Sequence, residues 1–91
     1  MTADVRVEDL LRELAPRVLG VLERRYADFA VCEDAVQEAL VAAARHWTKE
    51  GVPSNPRSWL VTAASRAVVD ECRSVCARRR EEAVAALEPP E

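Results

Sequence analysis

Glycine is nearly absent: Gly20 and Gly51 are the only two in 91 residues. No long β-branched run is present and alanine is abundant. This mix argues against a sheet and for closely packed helices. Aromatic residues are also scarce, with two Trp, one Tyr and one Phe, although 49 % of the chain is apolar. The length suits one small domain near the lower limit for a self-sufficient core. The expected fold is therefore all-α, a compact bundle of three to four helices. Lysine occurs once, at Lys49, and the other twelve basic residues are arginine. That ratio reads as the codon bias of a GC-rich genome and says little about mechanism.

His46 is the only histidine, and no Gly-rich phosphate loop occurs. Three cysteines are an odd number, which excludes a simple disulfide framework. Cys72 and Cys76 lie one helical turn apart and Cys32 falls in another predicted helix, so no zinc set is completed. All three are expected to be small buried thiols. No cofactor, metal or catalytic function is expected. A signal peptide is missing, as is an apolar run of the ~18–20 residues needed to span a bilayer. The expectation is a reduced, cytoplasmic protein without a membrane partner.

A large excess of one charge sign is missing overall but not locally. The net −3 conceals a division. Residues 1–50 carry seven basic and ten acidic side chains, and residues 51–80 carry six arginines against Asp70 and Glu71. Residues 81–91 add four Glu. The basic segment, PSNPRSWLVTAASRAVVDECRSVCARRR from Pro53 to Arg80, organises the chain. Ser54 or Asn55 can cap a helix, and Pro56 suits its first position. At ~100° per residue, Leu60, Ala63, Ala64, Ala67, Val68 and Val75 gather on one side. Thr62, Arg66, Arg73 and Arg80 gather on the other. Glu71 falls inside the apolar arc, at its edge or within reach of an arginine.

Earlier in the chain, Met1 to Arg6 read as frayed, with a first helix from about Val7 capped by Asp4. Leu11, Leu14, Val18 and Leu22 mark its core face. Pro16 should kink or split it. Gly20 either admits a close neighbour or simply costs helix propensity, ~1 kcal/mol. Asp28 should cap a second helix running to about Trp47, with Cys32, Val36, Ala39, Ala43 and Trp47 buried. Asp34, Gln37, Glu38, Val41 and Arg45 form its outer face, which is either an ordinary solvated face or a docking surface for a basic partner. Thr48–Asn55 reads as the only substantial loop. After Arg80 the chain turns acidic and ends in Pro-Pro, as a helix end or linker over residues 81–91 that leads towards a further module.

Two blocks carry a family resemblance. The first is Cys32-Glu33-Asp34-Ala35-Val36-Gln37-Glu38-Ala39. The second is Pro56-Arg57-Ser58-Trp59-Leu60, then Ala64 and Asp70-x-x-Arg73. In order and both on helices, they resemble the region 2 domain of bacterial RNA polymerase sigma factors of the sigma-70 superfamily, most closely the extracytoplasmic-function group. The likeness covers roughly residues 7–80, and the domain is expected to span residues 1–80. Cys32 stands where the family usually has Ala, Ser65-Arg66 where Arg-Asn is commoner, and Ser74 where a second Arg often follows. The changes at Ser65, Arg66 and Ser74 fall on the face that meets DNA in the family. A second module, which reads the −35 element in the family, is not contained in these residues.

The resemblance implies a transcription initiation factor that docks on polymerase and recognises and helps melt the promoter −10 element. Asp34, Gln37, Glu38 and Val41 would meet the coiled coil of the β′ subunit. Lys49, Ser54, Asn55, Arg57, Ser58, Thr62, Arg66, Arg73 and Arg80 would meet the non-template strand. An anti-sigma factor is a further partner that the family admits. Trp59 could stack on a base or anchor the core. Two other classes compete: a stand-alone helical DNA-binding domain, against which the basic helix is too long, and a helical protein-interaction domain without nucleic acid.

Overall fold

The computed structural model describes residues 3–87. Three helices follow one another: α1 (Ala3–Arg25), α2 (Phe29–Glu50) and α3 (Pro56–Leu87). No strand occurs among the described residues, so the all-α expectation holds. α2 packs along both neighbours, and α1 meets α3 over a shorter stretch.

Local chemistry sets the helix ends. Asp28 caps α2 by accepting from the Val31 amide at 3.1 Å. Asn55 does the same for α3, accepting from the Ser58 amide at 3.1 Å. It is Asn55 rather than Ser54 that caps, and Pro56 takes the first helical position, where a missing N–H costs nothing. Gly51 closes α2 with φ 91°, a backbone conformation that strains residues with a side chain, and its amide donates to the Trp47 carbonyl at 2.8 Å.

Three helix boundaries differ from the expected ones, and Pro16 does not split α1. α1 begins at Ala3, so Asp4 lies inside the helix and is not its cap. Pro16 sits on the exposed side of α1, which continues past it. α2 runs to Glu50, because Gly51 rather than Thr48 is the first residue whose backbone leaves the helix. Lys49 therefore stands in the last turn of α2, and the connection to α3 is Gly51–Asn55. α3 continues through the acidic segment to Leu87. The Pro89-Pro90 ending lies outside the described residues.

The core is a continuous aliphatic cluster. Leu11, Leu14, Val18 and Leu22 of α1 meet Cys32, Val36, Ala39, Ala43 and Trp47 of α2, with Leu60, Ala64 and Val68 of α3. On α1 and α2 every core position expected from periodicity is buried; on α3 Leu60, Ala64 and Val68 are buried, while Ala63, Ala67 and Val75 are half-buried. Val7 and Ala35 join the buried positions. No charged or polar residue is buried among the described residues. Gly20 has nothing within 4 Å of the place a Cβ would take. It is a plain propensity cost and not a point of close approach.

Burial on α3 stops at Val68. The helix is about 48 Å long against about 35 Å for its partners, so its later turns extend beyond them. The chain is correspondingly elongated, with a radius of gyration of 17.4 Å and extents of 66 × 27 × 17 Å. A compact chain of this size would have ~12 Å. The expectation of three buried thiols fails here: Cys32 is buried, but Cys72 and Cys76 are exposed. Val75 is half-buried.

Candidate nucleic-acid and protein interfaces

The outer face of α3 forms the floor of two adjoining grooves. One lies against the Gly51–Asn55 connection and is bounded by Ser54, Asn55, Ser58, Trp59, Thr62 and Arg66, with a volume of about 460 Å³. The other lies against the end of α1 and is bounded by Arg25, Ser58, Thr62, Ser65, Arg66, Asp70 and Arg73, with a volume of about 570 Å³. Ser58, Thr62 and Arg66 belong to both, so the two make one trough along the helix.

A cap and an aromatic contact fix the start of α3 beside this trough. Asn55 commits its side-chain oxygen to the α3 cap and keeps its NH₂ group free to donate. Trp59 is half-buried. Its ring packs edge-on against Trp47 with centroids 5.4 Å apart, and lies 6.0 Å from His46. It anchors α3 to α2 and also borders the groove. The Ser65 hydroxyl is closed off from solvent without a hydrogen-bond partner.

Six of the nine residues expected to meet DNA border the trough: Ser54, Asn55, Ser58, Thr62, Arg66 and Arg73. Arg80 lies further along α3, in a groove it shares with Arg73 and Tyr26. Lys49 and Arg57 are exposed but border neither part of the trough. Arg25 was not legible as a member, because only tertiary packing brings the end of α1 to α3.

Three arginines, Arg25, Arg66 and Arg73, border the trough against one carboxylate, Asp70. The ion pairs among the described residues are Arg12–Asp9 at 3.7 Å, His46–Glu50 at 3.1 Å and Arg78–Glu71 at 4.0 Å. Arg25, Arg66 and Arg73 are in none of them. Such unpaired guanidinium groups beside hydroxyl donors suit a phosphate backbone. Neutral donors and acceptors at one end of the trough suit the edge of an unstacked base.

The surface that adjoins the trough at Arg66, on the α2 flank, is acidic. Asp34, Gln37 and Glu38 of α2 share a shallow hollow of about 370 Å³ with Val31 and with Glu71 of α3. Glu71 thus resolves as an edge residue that also reaches Arg78. Sequence periodicity did not place it beside the α2 acids. Val41 stands exposed further along α2, at 51 % accessibility. Acceptors followed along the same helix by an exposed valine make a surface suited to an arginine-rich partner. On the interior side of α2, burial pushes the Cys32 thiol up from its ordinary value, helped by Glu23 and Asp28. No group of three His, Cys, Asp or Glu is placed to hold a metal among the described residues. No described helix is long and apolar enough to cross a membrane.

The family model for Sigma-70 region 2 matches residues 10–80. An uncharacterized protein of Rhizobium meliloti (strain 1021) is 31 % identical over 58 residues. That match takes in 64 % of this chain but 14 % of the length of the relative. No solved structure matches the chain.

Proposed function

The chain belongs to the sigma-70 region 2 family, and on that premise we propose that it docks on RNA polymerase through α2 and holds the non-template strand of the −10 element along α3. At the level of the family, region 2 implies polymerase binding and −10 recognition, with no enzymatic chemistry. The finer reading is an extracytoplasmic-function sigma factor working with polymerase in the cytoplasm. Residues 1–80 form the module, and residues 81–91 lead on from it.

In this reading Asp34, Gln37, Glu38 and Val41 meet the β′ coiled coil, with Glu71 extending their acidic surface. Arg66 and Arg73 neutralise phosphates, joined by Arg25 from α1 and by Arg80, Lys49 and Arg57 at the flanks. Ser54, Asn55, Ser58 and Thr62 address a base displaced from the stack. The supporting observation is the trough itself: unpaired arginines and neutral hydrogen-bonding groups border one surface beside a capped, anchored helix start.

The two groups should separate in a salt titration. Replacing Arg25, Arg66 and Arg73 together by Gln should weaken binding to all single strands alike. It should also flatten the salt dependence by a slope of about 0.7 per lost contact. Replacing Ser58 and Thr62 by Ala should alter base preference and leave the slope unchanged. Identical slopes and preferences in both variants and the wild type would sink the proposal.

A further inference from the structure

Two exposed thiols on α3 have no part in promoter binding as described. Cys72 and Cys76 open into a groove of about 520 Å³ that they share with Tyr26, Val68 and Val69, and with Arg73 and Arg80. Their spacing selects the chemistry. Residues four apart on a helix hold their Cβ atoms ~5–6 Å apart. A disulfide needs ~3.5–4.5 Å, so a direct S–S bond would distort the helix. One soft atom placed between the sulfurs spans the wider gap. Structural zinc wants four ligands, and no third His, Cys, Asp or Glu joins the pair among the described residues. A thiophilic atom that brings its own organic substituent needs only two sulfurs, and the apolar walls beside the thiols suit that substituent.

We propose that Cys72 and Cys76 form a two-thiolate site for a monosubstituted arsenic(III) compound, and that its occupation blocks the adjoining arginine face. The bonds balance without redox chemistry. An arsenoxide, R–As=O, gains two As–S bonds and loses its bond to oxygen. The two thiol protons leave on that oxygen as water, and arsenic stays trivalent. Once the first As–S bond has formed, the second closes within one molecule, which favours the chelate over two separate thiols. Arg73 borders both this groove and the trough on α3, so the adduct stands beside a phosphate contact. The blocking effect rests on the promoter reading, whereas the thiol site does not.

The test treats the whole chain with phenylarsine oxide under reducing conditions. Intact mass and a thiol titration are then read. One arsenical should bind per chain, mask two thiols, survive excess monothiol and leave on addition of a dithiol. Cys72→Ser and Cys76→Ser should each lose retention against monothiol by ~100-fold or more, and Cys32→Ala should keep it. Undiminished retention in either serine variant, or an adduct that needs Cys32, would overturn the site. Modified wild type should bind single-stranded DNA several-fold more weakly. Treatment should leave the binding of the double serine variant unchanged. Equal affinity before and after full modification would overturn the blocking effect. An unmodified chain that binds no single strand refutes the promoter reading and the blocking together, and the thiol titration then decides the site alone.

Discussion

Leu60 holds the first half of α3 to the bundle, and Leu60→Ala measures how firmly. The side chain is 0 % exposed, and α3 buries only Ala64 and Val68 besides it. Deleting it removes about three methylene equivalents, or about 2.4 kcal/mol of transfer free energy. A cavity term adds to this, because the neighbouring Trp59 is fixed against Trp47 at 5.4 Å and limits collapse. The expected loss is about 3–4 kcal/mol, within the usual range for buried leucine. A domain of this size has about 5–14 kcal/mol in all, so the variant should be folded but fragile. Urea unfolding followed by tryptophan fluorescence is suitable, since Trp47 and Trp59 report on the same interface. The midpoint should fall with the slope unchanged. A change within about half a kcal/mol, the size expected of a surface substitution, would show that Leu60 does not fasten α3.

Gly20→Ala should stabilise the chain by ~1 kcal/mol, because the added methyl meets nothing and helix propensity improves; a lowered thermal midpoint would refute this. Asn55→Ala should cost ~1 kcal/mol through the lost cap. Asn55→Ser should restore most of that stability while still changing base preference in a binding assay, which separates the capping role from the reading role. Charge reversal at Asp34 and Glu38 together should weaken pull-down of a β′ coiled-coil fragment with little change in thermal stability. Equal capture of both proteins would remove α2 as the docking face.

Periodicity was enough for the parts of the fold that depend on neighbours along the chain. Asp28 and Asn55 with Pro56 announce two helix starts, and the apolar stripes give the buried faces of α1 and α2. It misled where burial depends on what another helix can cover. Cys72 and Cys76 stay exposed because α3 is buried against its neighbours only as far as Val68. Arg25 and Glu71 were missed as site members for the same kind of reason. Each is unremarkable on its own helix and is defined by a residue on another. Lys49 was assigned to a loop because polar residues near a glycine read as irregular, yet a helix persists until the backbone leaves it at Gly51. Thr48 even donates to the Ala44 carbonyl within the last turns of α2, at 2.6 Å.

The central claim is that the trough on α3 holds an unpaired strand. Fluorescence anisotropy at one fixed low salt concentration should compare three labelled forms of a −10 sequence: non-template single strand, template single strand and duplex. The non-template strand should bind tightest. Replacing Arg66 and Arg73 by Gln should weaken all three, and replacing Ser58 and Thr62 by Ala should erase the preference between the two single strands. Duplex binding as tight as the non-template strand, unaffected by either replacement, would contradict the account.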